Sequence, residues 1–492
     1  MKITNPDIRL RLAPSPTGFL HLGTLRTALF GYLLARHWGG AFILRIEDTD
    51  QKREVPGAVE NLLQVFNRLG ISFDEGPQSG GDYGPYTQSE RTDLYKKYAQ
   101  ELIDKGEAYY CFATAEELEA LRQEQIAKKQ APRYDRRFRD FPVAQAKERI
   151  TKGDSYVIRH KMPLEGTIVV HDELRGDISF QATDIDDYVL LKSDGYPTYH
   201  LSSVVDDHEM KISHVTRGDE WLPSLPRNIS LYKSFGWTAP KFIHLPLILN
   251  KEGGKLSKRQ GDVFVEQYLD HGYLKEALIN FCALLGWHPK DNNEFFSLED
   301  LEKIFNLEGL SSSSAIFDQE KLDFFNAYYI KQYPLDALLE LTRPYFIELI
   351  QHSSEAKSSD AFIKKILELE QPRLKFLAEL QESTAFFFKE SLDYDESLLI
   401  WKKLSSTDIK DNLTTLKQKL EALDDAFWTK ENLEATIVSW LKAEQKGLGD
   451  FLWPMRVALS GQKNSPGPFE IAAILGKKES LEKINAALSK LS

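Results

Sequence analysis

The stretch Arg11-Leu-Ala-Pro14-Ser15-Pro-Thr17-Gly18-Phe-Leu-His21-Leu-Gly23-Thr24 joins two elements of different period. Ahead of it, Ile8 to Ala13 reads as a short strand. Behind it, Thr24 to Trp38 sets Leu25, Ala28, Leu29, Tyr32 and Leu33 at helical spacing, and Gly39-Gly40 stops the helix. Pro14 to Gly23 is then the loop from a first strand into a first helix. Ala41 to Ile46 follows as a second strand. Another helix begins near Pro56, with the proline at a first-turn position where its missing N–H costs nothing. This order predicts a parallel, doubly wound sheet, whose ligands sit at the carboxyl ends of the strands. A helix N-terminus there favours phosphate. Gly18 and Gly23 allow close backbone approach, and His21 offers a donor to phosphate oxygens. Read alone, the segment is explained better as an ordinary βα turn with a surface histidine.

Further along, helices dominate to about Lys129, and Thr114-x-x-Glu117 fits a capping box. Strands follow at Tyr156–His160, Thr167–His171, Asp177–Phe180 and Tyr188–Lys192, with Ser193-Asp194-Gly195 as a turn. Helix and strand alternate again from Ile212 to Asn250, so a nucleotide-binding fold is interrupted by a large insertion. From about Phe264 nearly every segment is helical, and Ser311–Ser314 reads as a linker or helix start.

The 492 residues exceed what one hydrophobic core organises. Composition, 42% hydrophobic and 28% charged, suits a soluble globular protein. Met1 to Leu10 has no apolar h-region, so no secretory signal is expected, and no run is long enough to span a bilayer. Two distant cysteines, Cys111 and Cys282, suit a reducing compartment, which makes the cytoplasm the expected address. A formal net charge of −12 argues against a generic nucleic-acid coat protein but leaves room for local basic patches. One such patch runs from Arg122 to Arg139, and a solvated helix face explains it as well as a phosphate-contacting surface.

Two more elements bear on chemistry. Lys255-Leu-Ser257-Lys258-Arg259 lies in a glycine-flanked loop, where cations could close over a triphosphate. Leu44-Arg45-Ile46-Glu47-Asp48-Thr49-Asp50 leaves the second strand with carboxylates that could hold an ammonium group or help to place Mg²⁺. In isolation, a solvated basic loop and a polar strand end account for both.

Taken together, His21-x-Gly23 and Lys255-x-Ser257-Lys258 resemble the paired signatures of class I aminoacyl-tRNA synthetases. Ala13 to Gly18, Arg26-Thr-Ala-Leu-Phe30 and Arg45 to Asp50 look like the bacterial glutamyl members. So do Glu75-Gly-Pro77, Gln88 to Arg91, Lys192 to His200, Val205 to His208, Gly218 to Trp221 and Pro466 to Gly476. The resemblance spans essentially the whole chain. It implies an α/β Rossmann-like catalytic domain (1–87 and 192–255) with an α+β acceptor-end-binding insertion (88–191). A stem-contact helical domain (256–325) and an all-α anticodon-binding region (326–492) would follow.

The same resemblance implies a two-step reaction in which glutamate attacks the α-phosphorus of ATP and the acyl group then passes to the 3′ end of tRNA(Glu). His21 and Lys258 would stabilise the transition state, and Lys255 and Ser257 would support loop closure. Pro14, Thr17, Gly18, His21, Gly23, Thr24 and Lys258 would bind ATP, which brings Mg²⁺. Arg11 and Arg217 would take carboxylates, Tyr199 would line the pocket, and Ser15 and Glu47 would lie near the ammonium. A guanidinium suits glutamate because it holds a carboxylate bidentately and offers no acceptor to a glutamine amide. The alternative for Arg217 is a satisfied ion pair.

Three departures from the pattern matter. Thr24 stands where the general motif has a second histidine, as is usual in the glutamyl branch. Where some relatives carry zinc ligands, this chain keeps Cys111 and Tyr134 but has Ala113 and Phe138, so no structural zinc is expected. Gln371 precedes Arg373 near the place where discriminating members read the third anticodon base with arginine. A relaxed reading of tRNA(Gln) and an ordinary helix-surface role are both open for Gln371. Competing families fit less well. Glutaminyl enzymes run Pro-Glu-Pro-Asn-Gly, and the glutamyl-queuosine enzymes are much shorter. A small-molecule nucleotidyltransferase needs no helical tail, and a non-catalytic relative would have lost His21 or Lys258. A monomer without a membrane partner is expected.

Overall fold

The computed structural model describes residues 3–254, 256, 264–351 and 353–491. The chain divides into two compact units, Met1–Tyr268 with Lys275–Gln319, and Leu269–Leu274 with Glu320–Ser492.

The first unit opens with β1 (Arg9–Leu12), α1 (Leu22–His37), β2 (Ala41–Leu44) and α2 (Ala58–Leu69). Then come α3 (Thr92–Asp104), β3 (Ala108–Cys111), α4 (Ala115–Ala127), α5 (Val143–Thr151) and β4 (Val157–His160). β5 (Thr167–Asp172), β6 (Gly176–Gln181), β7 (Val189–Leu191), α6 (Tyr199–Glu209) and β8 (His214–Gly218) follow. α7 (Leu225–Phe235), β9 (Lys241–Leu245), β10 (Ile248–Leu249) and β11 (Ala315–Ile316) complete the labelled set.

Six strands form the main sheet in the order β2-β1-β8-β9-β5-β6, all parallel except the β5–β6 hairpin at one edge. β1 and β2 are buried along their whole length; β2 reads as an unbroken apolar run, whereas β1 alternates two leucines with two buried arginines. The chain leaves β1 to one side for β2 and returns on the other side as β8, so the ends of β1 and β8 mark a topological switch point. α1 covers the sheet and is buried on most of its surface, and Arg26 on it donates to the carbonyls of Pro246 and Leu285.

Two helix starts differ from the sequence reading. α1 begins at Leu22 because His21 caps it. α2 begins at Ala58, since Gly57 holds a left-handed φ of 80° that no helical turn accommodates, and Pro56 therefore lies outside the helix. The capping box at Thr114 and Glu117 forms as read.

Residues 88–191 contribute in two places. β3, β4 and β7 make a separate antiparallel sheet. Tyr95, Leu102 and Leu190 pack in one core with Leu201, Val205 and Leu231 of α6 and α7. β5 and β6 instead extend the main sheet, with Asp172 in register with Phe242 of β9. Most of the basic tract is neutralised from within. The fully buried Asp187 carboxylate holds Arg136 at 3.2 Å and Arg139 at 2.7 Å, and accepts the Tyr109 hydroxyl. Arg133 pairs with Asp184 and Arg137 with Asp135.

In the second unit, Ser406–Glu421, Leu448–Ser460 and Pro468–Lys490 pack on one another and bury Leu413, Leu416, Met455 and Ile484, while Leu335–Ile350 packs on Asp360–Glu370 and buries Leu338 and Phe346. The last helix breaks at Gly476, whose φ of 79° interrupts the helical path. Among the described residues, no helix is long and apolar enough to cross a membrane.

Candidate active site

A cavity of about 910 Å³ opens at the carboxyl ends of β1, β2 and β8. The loop from Ala13 to His21, the first turn of α1, Ile46 and Glu47, and Thr216 to Gly218 line it, with Tyr199 and Trp221 on one wall. The structure thus gathers Arg11, Pro14, Ser15, Thr17, Gly18, His21, Gly23, Thr24, Glu47, Tyr199 and Arg217 around one space. These residues come from three strand ends and two helix starts. Lys255, Ser257 and Lys258 lie outside the described residues, although the turn leading to them is formed. There Asn250 Oδ1 accepts the backbone N–H groups of Glu252 and Gly254 at 2.8 and 3.0 Å.

His21 is the N-cap of α1. Its Nδ1 accepts the Gly23 N–H at 3.1 Å, so in the neutral ring the proton sits on Nε2. No acidic side chain occupies the first turn of α1, which leaves the positive end of the helix unopposed. The helix end makes an anion-favouring corner.

The opposite side of the cavity is built on arginine. Arg11 meets Asp207 through Nε at 2.9 Å and Nη2 at 3.4 Å. Arg45, which has no exposed surface, donates from Nη1 to Asp207 at 2.7 Å and from Nη2 to Glu47 at 2.9 Å. Glu47 Oε1 takes both bonds from Arg45, and Oε2 accepts none among the described residues. Burial pushes the Glu47 carboxyl up, against the pull of Arg45 and Arg11. Burial would also raise Asp207, but its two arginines hold it below the usual carboxylate range. Behind this cluster Asp206 binds Arg91, Gln88 and the Tyr95 hydroxyl.

Arg217 is not a satisfied ion pair. Its Nε donates to His244 Nε2 at 2.9 Å and its Nη1 to the Tyr199 hydroxyl at 2.7 Å, and among the described residues no carboxylate touches it. Nη2 is buried without a partner among the described residues, as are Ser203 Oγ and the Tyr232 hydroxyl. Tyr199 in turn packs on Trp221, with ring centroids 4.4 Å apart.

The sequence reading singled out none of Arg45, Ser203, Asp207, Tyr232 and His244 as site residues. One signal was available: Tyr199, Ser203 and Asp207 recur at helical spacing along α6, which puts three polar groups on one face.

Gln371 and Arg373 lie in the second unit. The Gln371 amide donates to the carbonyls of Ile330 and Tyr333 at 2.7 and 2.8 Å, closing the end of the helix Gln319–Gln332. Arg373 is half-exposed beside the buried Glu370. At the place of the zinc ligands, the Cys111 thiol donates to the Tyr134 hydroxyl at 3.2 Å and Phe138 packs against Phe112. That donor set, one thiol and one phenol, does not fit a tetrahedral zinc site.

A phosphate-favouring helix end facing an arginine with an open donor suits an enzyme that activates a carboxylate with a nucleotide. The catalytic domain of class I tRNA synthetases (E and Q) matches residues 7–324, and an anticodon binding domain matches 337–488. Fold and site together define a class I aminoacyl-tRNA synthetase. A glutamate–tRNA ligase of Clostridium botulinum is 45% identical over 98% of each chain, and one of Chlorobaculum parvum is 42% identical over 99% of this chain and 98% of its own. The crystal structure of a glutamate tRNA ligase from Elizabethkingia meningosepticum, in complex with its amino acid, superposes with a TM-score of 0.89 at 38% identity. That match covers 99% of this chain and 100% of the other. The chain belongs to the glutamate–tRNA ligase family, and it joins glutamate to tRNA(Glu) with ATP.

Proposed function

We propose the following division of labour for this ligase. The observation that carries it is the Arg217 guanidinium, which lines the cavity with Nη2 unpaired and no carboxylate on it among the described residues. Arg217 seats one carboxylate of the substrate, and the Nη1 edge of Arg11, left open by Asp207, takes the other. Glu47 Oε2 and Ser15 face the ammonium group. His21 Nε2–H and the first turn of α1 hold the phosphates of ATP, with Pro14, Thr17, Gly18, Gly23 and Thr24 shaping the backbone around them.

In the first step a glutamate α-carboxylate oxygen attacks the α-phosphorus and pyrophosphate leaves, giving glutamyl-adenylate. In the second, the terminal ribose 2′-hydroxyl of tRNA attacks the acyl carbon and AMP leaves. Neither step needs a protein nucleophile. Positioning and neutralisation of charge carry the rate, and His21, Lys258 and Lys255 supply them, with Ser257 supporting the loop. Mg²⁺ bound with ATP would supply further neutralisation of the phosphates. Glu47, a carboxylate on the cavity wall, is already engaged by Arg45.

Residues 88–191 meet the acceptor end, 256–325 the stem, and Arg373 the anticodon. The chain works as a cytoplasmic monomer on tRNA(Glu). Both amide hydrogens of Gln371 cap a helix, so that side chain is a structural element. The test is to incubate the purified chain with ATP, Mg²⁺ and labelled glutamate, with tRNA(Glu) and tRNA(Gln) transcripts in separate tubes. Charging of tRNA(Glu) alone is expected. Charging of both would overturn the restriction to tRNA(Glu), and charging of neither by folded protein would overturn the whole reading.

A further inference from the structure

We infer that Asp172 and His244 are positioning residues for glutamate selection, acting through Arg217. The inference rests on the reading that Arg217 seats a substrate carboxylate. The three residues belong to β5, β9 and β8, adjacent strands of the main sheet. Arg217 and His244 are register partners across β8 and β9, so their side chains leave the sheet side by side.

The chain of hydrogen bonds has one direction. Asp172 Oδ2 accepts His244 Nδ1–H at 2.7 Å and the His244 backbone N–H at 3.0 Å. Its Oδ1 accepts the backbone N–H groups of Leu174 and Arg175, each at 3.0 Å. The carboxylate is therefore anchored by its own turn and cannot follow a moving imidazole. With the proton held on Nδ1, neutral His244 offers Nε2 as an acceptor, and Arg217 Nε–H donates there. Asp172 and His244 both have 0% exposure, so no solvent competes for either bond.

The consequence falls on the guanidinium. Its Nε edge is closed by His244, its face lies over the Phe242 ring at 5.4 Å, and Nη1 is tied to Tyr199. Nη2 and the second hydrogen of Nη1 remain for a ligand, with no partner among the described residues. A planar fork discriminates a carboxylate from an amide only when its plane and direction are fixed. A protonated His244 would aim Nε2–H at Arg217 Nε–H, two donors facing each other, and would release the fork. Burial holds the imidazole below its ordinary pKa despite the Asp172 hydrogen bond, and Arg217 adds to the effect.

The test is steady-state aminoacylation of tRNA(Glu) by the full chain, with glutamate and ATP varied separately. In His244→Asn the amide stands where Nδ1 was, and nothing reaches Arg217 Nε. The glutamate KM should rise about tenfold, while the ATP KM and kcat stay within about twofold. His244→Gln places an acceptor near the former Nε2 and should recover most of that loss. Asp172→Asn keeps an oxygen for the turn but no longer fixes the tautomer, and should raise the glutamate KM in the same selective way. Arg217→Gln is the control for the reading beneath. If it leaves the glutamate KM unchanged, Arg217 is not the carboxylate seat. If it raises that KM while folded His244→Asn and Asp172→Asn keep the wild-type value, the positioning inference is overturned and the seat stands. Equal rises in the glutamate and ATP KM values, or failure of both variants to fold, would assign the pair to stability alone and also overturn the inference.

Discussion

Asp207 holds Arg11 along the Nε–Nη2 edge, at 2.9 and 3.4 Å, and with the same Oδ1 takes Nη1 of Arg45 at 2.7 Å. One carboxylate on α6 thereby ties the residue that follows β2 to the penultimate residue of β1, with all three side chains out of water. Removing one member of such a cluster leaves an uncompensated buried charge, a larger loss than the net worth of the pair. Asp207→Ala should lower unfolding stability by about 3–5 kcal/mol, read from the urea midpoint. It should also raise the glutamate KM, because Arg11 loses its anchor. A loss under about 1 kcal/mol would mean that the charges are solvated as at a surface.

His21 combines two tasks that substitution can separate. Nδ1 caps α1, and Nε2–H is the donor proposed for the phosphates. His21→Ala should cost about 1 kcal/mol of stability through the lost cap. It should also slow adenylate formation about 10²–10³-fold through the lost donor. His21→Asn restores an N-cap oxygen but no donor in the same place, so stability should return while the rate stays low. Pyrophosphate exchange beside a thermal melt reads both.

Glu370 gives the second unit a dependence on pH. Burial raises its carboxyl to about 6, against Arg373 at 3.5 Å and helped by Glu379. The folded form then binds the proton more tightly than the unfolded one. Glu370 therefore contributes stability that is full below about 4.5 and is lost as pH rises through about 6. Glu370→Gln removes the titration and should stabilise this unit by up to about 2 kcal/mol at pH 8, with little gain at pH 4.5. Chemical unfolding followed at both pH values checks it. An equal gain at both would attribute the effect to packing.

The strand-to-helix loop, both flanking strands and the helical C-terminal half were legible because each is written in local signals. These are period-two and 3.6-residue patterns, glycine stops and a Thr–Glu capping pair. Arg11, His21, Glu47, Tyr199 and Arg217 could be named because they sit in short, ordered strings. Asp172 and His244 could not, since 72 residues separate them and neither lies in a string with chemistry of its own. The Arg122–Arg139 tract misleads in the opposite direction. It is rich in cations, yet Asp184 and Asp187, about fifty residues on, absorb several of them.

By itself, the order of amino acids determined the class of fold, the family and the set of side chains available at the strand ends. Those depend on contacts a few residues long and on motifs that survive in any orientation. What each side chain is free to do was decided only by the tertiary structure. It turned Arg11 toward Asp207 and left Nη2 of Arg217 open, because β1, β8 and β9 lie side by side in an order unrelated to their order in the chain. Whether a buried donor is satisfied or waiting depends on neighbours brought from hundreds of residues away, and desolvation makes that difference count.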